Sequence, residues 1–217
     1  MASNGTLPAA PLFSSTLISP EVQSALPEGY TVRPLQKNDY HAGFLDVLRV
    51  LTQVGDISEE RWAERYDWIA RLGAPPPSLS SPVPKTSDVA SPTGPSDGQQ
   101  FSKKSEGHGS YFVIVIINEV GKIVGTGTLV VERKFIHDLG IVGHIEDIAV
   151  AKDQQGKKLG LRIINALDYI ASEVGCYKSI LDCSEANEGF YKKCGFKRAG
   201  LEMAHYYEKK PANGATA

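Results

Sequence analysis

The stretch that most constrains this chain runs Ile145-Glu146-Asp147-Ile148-Ala149-Val150, then Gln155-Gly156-Lys157-Lys158-Leu159-Gly160, then a long amphipathic segment. The apolar positions Leu159, Ile163, Ile164, Leu167 and Ile170 recur at helical spacing, which predicts a helix over Lys158–Val174. The order is therefore strand, glycine-containing loop, helix start. A helix start exposes unpaired amides and carries a partial positive charge. Glycines let a backbone approach a phosphate closely, and Lys157 and Lys158 add local charge. The segment lacks the Gly-Lys-Ser/Thr ending of a Walker loop and the Gly-x-Gly-x-x-Gly of a dinucleotide fold. On its own it leaves diphosphate binding and a plain turn both open.

The segments around it supply a sheet and more helices. Tyr30–Pro34 alternates like a short strand, with Pro34 near an edge or an end. Asn38 or Asp39 suits a helix N-cap ahead of Tyr40, Phe44, Leu45, Val47, Leu48 and Leu51. Ser58-Glu59-Glu60-Arg61 resembles the start of a second helix, carrying Trp62, Tyr66, Ile69 and Leu72. Tyr111–Ile117 and Ile123–Val131, joined by a turn at 118–122, form a hairpin signal. Ile145–Val150 and Ser179–Leu181 read as strands, Glu185–Cys194 as a short helix, and Phe196–Tyr207 as a closing strand. The predicted order is β-α-α-β-β-β-α-β-α-β.

Residues 1–29, rich in Ser, Pro and Ala, read as a disordered leader with neither a signal peptide nor a membrane span. Residues 74–110 are rich in Pro, Ser and Gly, and read as a disordered insertion inside one domain at 30–209. Residues 210–217 read as a disordered tail. The net charge of -2 offers no long-range attraction to nucleic acid or an acidic membrane. Cys176, Cys183 and Cys194 form no Cys-x-x-Cys pair, which fits a reducing, cytoplasmic setting.

A second chemistry-bearing segment is Asp182–Phe196. Asn187 and Tyr191 are four residues apart on a predicted helix and share a face. Tyr191 is either a half-buried aromatic with a wet hydroxyl or a phenol aimed at a leaving group. His137 and His144 have no third ligand spaced to help them, so no metal is expected. Glu146 and Asp147 are adjacent on a strand and are expected on opposite faces, not as a facing acid pair.

Together the two segments resemble motifs A and B of the GNAT family of N-acetyltransferases. Gln155-x-x-Lys158-x-Gly160 is similar to the family's Gln/Arg-x-x-Gly-x-Gly/Ala loop, with Lys158 standing where glycine is usual. The segments Glu132–His137, Gly143–Val150, Gly175–Lys178 and Phe190–Phe196 narrow the resemblance to members that act on a phosphorylated amino sugar. The resemblance covers about Tyr30 to Tyr207 apart from the insertion. It implies an α/β (α+β) GNAT fold: a central, mixed, mostly antiparallel twisted sheet flanked by helices, with a V-shaped split for the coenzyme. The implied co-substrate is acetyl-CoA, without metal. The implied acceptor is D-glucosamine 6-phosphate, giving N-acetylglucosamine 6-phosphate for UDP-N-acetylglucosamine biosynthesis.

Roles follow by the same resemblance. Ile148, Ala149 and Val150 hold the pantetheine arm through main-chain bonds. Gly156, Lys157, Lys158, Leu159, Gly160 and Leu161 hold the diphosphate, and Asn187 contacts the coenzyme near its thioester. Thr52, Lys134, Phe135, Ile136 and His137, with Glu146 and Asp147, contact the sugar phosphate. Tyr177 and Lys178 reach it from a neighbouring subunit, so a homodimer with shared sites is implied. Tyr206 stands where the family often has a phosphate-binding arginine.

Chemically, the amine must attack neutral, so a carboxylate or ordered water near Glu146 and Asp182 is the expected proton acceptor. A main-chain N–H on the Ile148 strand would hold the oxyanion. Tyr191 would hydrogen-bond the departing thiolate. Three readings compete: the sugar-phosphate acetyltransferase, a GNAT enzyme acting on protein lysines, N-termini or another small amine, and a non-enzymatic acyl-CoA-binding module. Basic residues at Lys134 and His137 would attract a phosphate and repel a lysine side chain. The polar set Asp182, Asn187 and Tyr191 counts against a module without turnover.

Overall fold

The computed structural model describes residues 10–73 and 108–207. They fall into two compact units, Met1–Leu181 and Asp182–Ala217.

The first unit is organised by one five-stranded sheet in the order β1-β2-β3-β4-β5. The strands are β1 Thr31–Pro34, β2 Tyr111–Ile117, β3 Ile123–Arg133, β4 Ile141–Val150 and β5 Cys176–Ile180. All neighbours are antiparallel except β4 and β5, which are parallel. The run Phe112–Ile116 is wholly buried because β2 is paired on both edges and covered on both faces. A continuous apolar run is what such a strand requires. β4 begins at Ile141, four residues ahead of the expected start, because Ile141–His144 complete the ladder with Arg133–Val130.

The helices are α1 Pro20–Ser24, α2 Phe44–Leu48, α3 Glu59–Gly73 and α4 Leu159–Glu173. α4 lays Ile163, Ile164, Leu167 and Ile170, each fully buried, on the sheet. Gly127 makes that approach close: a Cβ there would sit 2.5 Å from Ile163 and 2.6 Å from Ile148. The single helix expected from Tyr40 to Leu51 is broken. A 3-10 turn at Lys37–Tyr40 ends at His41, and Gly43, whose φ is 90°, then opens α2. Asp39 serves an ion pair rather than a long-helix cap. Its buried carboxylate accepts from Arg33 at 2.6 and 2.8 Å.

Three expectations need correction. The leader is ordered from residue 10 onward: Leu12, Phe13, Leu17, Val22 and Leu26 are buried, and Ser19 caps α1. Five apolar side chains suffice because the core reaches out to them. Phe13 packs edge-on against Phe112 at 5.2 Å, and Tyr66 donates to the Ala10 carbonyl at 2.9 Å. Residues 1–9 lie outside the described residues, as do 74–107 of the expected insertion and 208–217 at the tail. Residues 108–110 of that insertion are held in place. The Ser110 amide donates to Leu72 at 2.8 Å, and Arg133 donates to the His108 carbonyl and the Ser110 hydroxyl at 2.6 Å each.

The third correction lies in the second unit. There α5, Glu185–Lys193, forms as expected, but the closing strand does not. Residues 196–207 carry no secondary structure, and Leu201, Met203, Tyr206 and Tyr207 are 86–89% exposed. A strand needs a neighbour for its backbone groups. Among the described residues, 196–207 pair with no strand.

Candidate active site

β4 carries the site because its two edges are used differently. On one edge it pairs with β3 along its length. On the other, parallel pairing with β5 ends at His144–Ile180, and among the described residues Ile145–Val150 have no strand partner on that edge. β5 ends there, and the main-chain groups of Ile148, Ala149 and Val150 lie beyond its last paired residue. The V-shaped split that the resemblance implies would lie at this end of β4. An extended, amide-bearing ligand could add to that edge as another strand would.

A bulge in β4 interrupts the simple alternation on which the expectation for Glu146 and Asp147 rests. Thr126 pairs with Ala149 while Thr128 pairs with Glu146, so Asp147 and Ile148 together oppose Gly127. Asp147 takes the extra turn with φ of 55°. A bulge resets the two-residue alternation of a strand. Both carboxylates now act on one neighbour, the half-buried Tyr111 phenol of β2. Burial raises its pKa most, Asp147 and Glu146 raise it further, and Arg65 of α3 lowers it. Partial desolvation also pushes the Asp147 carboxyl up. Tyr111 and Arg65 were missed by sequence reasoning. They lie far from the motifs in the chain, and only the sheet order brings them to β4.

After β4 comes a 3-10 turn, Lys152–Gln154, and then Gly156 with φ of 84°. Lys158 is the residue before α4 and holds φ of 61°, the conformation the family's usual glycine adopts freely. No side chain caps α4 and no acid sits in its first turn. The amides of Leu159, Gly160 and Leu161 therefore face outward as donors. A diphosphate fits this donor set, and the glycine loop leaves room for it. Lys157 donates to the Tyr30 hydroxyl at 2.7 Å and to Gln154 Oε1 at 2.8 Å.

The remaining substrate candidates collect elsewhere. Lys134 donates to Glu132 at 2.6 Å, and His144 shares the same carboxylate at 3.0 Å. Lys134 first and His144 second hold the Glu132 carboxyl below its usual range. Phe135 is 96% exposed and Ile136 63%. His137, Asp138 and Leu139 all have positive φ at the tip joining β3 to β4. The His137 ring lies 4.8 Å from the Tyr177 ring, and Lys178 sits 5.7 Å over that ring. This cluster stands beside the first residues of β4, since Ile141 pairs with Cys176 and Val142 with Lys178. Asp147 is five or six residues further along, roughly 15–20 Å at strand rise. Thr52 follows α2 and is exposed. The structure thus couples both Glu146 and Asp147 to the Tyr111 phenol, gathers His137 with Tyr177 and Lys178, and separates the two groups along β4.

In the second unit, Asp182 precedes α5, and Asn187 and Tyr191 share one face of it. Tyr191 packs against Phe190 at 5.0 Å and Phe196 at 6.3 Å. Burial raises its phenol, with Cys183 and Cys194 adding to the effect. Among the described residues, no three His, Cys, Asp or Glu side chains converge as a metal would require. No described helix is long and apolar enough to cross a membrane.

A model of the acetyltransferase (GNAT) family matches residues 81–196. The glucosamine 6-phosphate N-acetyltransferase of Candida albicans is 43% identical over 178 residues, 82% of this chain and 96% of the relative. The chain belongs to the GNAT family. Glucosamine 6-phosphate N-acetyltransferase 1 of Dictyostelium discoideum is 37% identical over 191 residues, covering 88% of this chain and 99% of the relative. Among solved structures, glucosamine-6-phosphate N-acetyltransferase from Arabidopsis thaliana superposes with a TM-score of 0.65 at 29% identity. That match covers 83% of this chain and 100% of the other. The chain is accordingly an acetyl-CoA-dependent N-acetyltransferase, and its mixed, mostly antiparallel sheet is the GNAT sheet.

Proposed function

We propose that the chain transfers acetyl from acetyl-CoA directly to the amine of D-glucosamine 6-phosphate. The observation that carries this reading is near-full-length similarity to enzymes bearing that name, the one from Candida albicans at 43% identity. The β4 geometry supports it, because the bulge sets Glu146 and Asp147 beside the open edge where a thioester would lie.

In this reading the pantetheine arm adds to Ile148–Val150 and the diphosphate meets the first amides of α4. An amine bound near Glu146 and Asp147 gives up its proton to that side, directly or through water, and attacks the thioester carbonyl. A β4 main-chain N–H receives the oxyanion. By the resemblance, Tyr191, whose burial-raised phenol stays protonated at neutral pH, is the proposed donor to the leaving thiolate. The site is shared in a homodimer, because the basic cluster at His137, Tyr177 and Lys178 lies too far along β4 to grip the same hexose phosphate. A reducing, cytoplasmic setting is part of this reading, on the cysteine usage of the sequence.

The test is acetyl-CoA-dependent thiol release with glucosamine 6-phosphate, glucosamine, and a lysine peptide as acceptors. The sugar phosphate is expected to be preferred strongly over both. Turnover of the peptide without turnover of the sugar phosphate would overturn the reading.

A further inference from the structure

The loop that would meet the diphosphate is tied to Tyr30, which lies far from it in sequence. Tyr30, just ahead of β1, donates its hydroxyl to Gln154 Oε1 at 2.6 Å. Lys157 donates to that same hydroxyl at 2.7 Å and to the same Gln154 oxygen at 2.8 Å, closing a triangle. The Lys157 ammonium also sits 5.2 Å over the Tyr30 ring. Tyr30 is itself anchored: its carbonyl accepts from Gln23 Nε2 at 3.1 Å, and the same Gln23 side chain accepts from the Val32 amide at 2.9 Å.

The chemistry of this triangle differs from that of an ordinary surface lysine. Both acceptors are neutral, so no carboxylate offsets the ammonium's charge within this triangle. Asp153 is the carboxylate that feels it, and Asp153 accepts from Gln154 rather than from Lys157. Lys134 shows the contrast, with its ammonium set directly on Glu132. An ammonium has three donors, and two are used here. We propose that Tyr30 is a positioning residue for the coenzyme: with Gln154 it fixes the Lys157 ammonium so that the third donor meets a phosphate of acetyl-CoA. This rests on the 156–161 loop being the phosphate site. Fixing a flexible lysine in advance removes an ordering cost that binding would otherwise carry. The tie also steadies the turn beside Lys158, a non-glycine residue held at φ of 61°.

The experiment measures CoA affinity by calorimetry and steady-state kinetics on the full chain for Tyr30→Phe, Lys157→Gln and the double variant. Tyr30→Phe keeps the ring and removes only the hydroxyl. It is expected to weaken CoA binding about 3- to 10-fold, with kcat and the KM for the amino sugar unchanged. Lys157→Gln is expected to weaken binding at least as much, and the double variant no more than Lys157→Gln alone. Repeating the series with dephospho-CoA assigns the contact. Loss of the Tyr30→Phe effect points to the 3′-phosphate, and its persistence points to the diphosphate. Weakened binding in Lys157→Gln with none in Tyr30→Phe would overturn the positioning role while leaving the loop reading intact. No change in either variant would overturn the phosphate contact. Gly156→Val then tests the loop itself, since retained CoA binding in that variant would remove the loop reading too.

Discussion

At Asp147 one residue carries both a backbone and an electrostatic cost. Its φ of 55° lies where few side chains settle, and Asp and Asn tolerate that region best. Its side chain is exposed, but the surrounding protein partly desolvates the carboxyl and raises its pKa, so the folded chain holds this proton somewhat more tightly than the unfolded chain does. The ionised form therefore opposes folding. That penalty is complete above the raised pKa and vanishes below the unfolded value of about 3.9. Asp147→Asn keeps the backbone preference and removes the charge. The variant is expected to melt above the parent at pH 7, with the difference shrinking as the pH falls toward 3. A thermal melt across that range reads it. Activity is expected to fall in the same variant, since the carboxylate that strains the fold is one of the two beside the open edge. A melting difference that does not change with pH would show that the backbone alone sets the effect.

At the scale of elements, the bulge and the helix over it depend on one missing side chain. Gly127 faces Asp147 and Ile148 across the ladder, and a Cβ there would meet Ile163, Ile148 and Leu167 at 2.5–3.0 Å. Ile163 and Leu167 are fully buried and cannot yield outward. Gly127→Ala is expected to cost about 1–3 kcal/mol by overpacking. For a chain of this size that lowers Tm by several degrees. Gly156→Ala meets no atom within 4 Å and costs only its positive φ, so a larger loss there than at Gly127 would refute the packing argument. The sequence shows why some elements were legible and others not. β2 and α4 announce themselves by an apolar run and a helical period, which are local signals. The bulge depends on a register between β3 and β4 that no local pattern carries, so simple alternation does not describe this part of β4. The order of residues 10–29 was hidden for a related reason. Leu12, Phe13 and Leu17 stand among Ser and Pro, and only the surface they dock on, made by Phe112 and Tyr66, shows that they belong to the core. Phe196–Tyr207 misled in the other direction, since its pattern is strand-like but no described strand pairs with it.

For the whole molecule, the distance along β4 is the argument for a second copy. The motifs named seven substrate positions outside β4 and two on it. In one chain, His137, Tyr177 and Lys178 gather near Ile141, while Glu146 and Asp147 sit near the other end of the strand. A hexose phosphate does not span roughly 15–20 Å, and in the proposed shared site one chain does not supply both groups. A two-fold pair would, with each copy lending its basic cluster to the other's carboxylates. Light scattering is expected to give the mass of a dimer. The sharper test mixes two weakened enzymes, a Tyr177→Ala, Lys178→Ala chain and a Glu146→Gln chain, after a cycle of dissociation and reassociation. Half the dimers are then mixed, and each mixed dimer has one site carrying both lesions and one carrying neither. Activity is expected to return to about a quarter of the parent value. If each site were built from a single chain, every site in the mixture would keep one lesion and no activity would return.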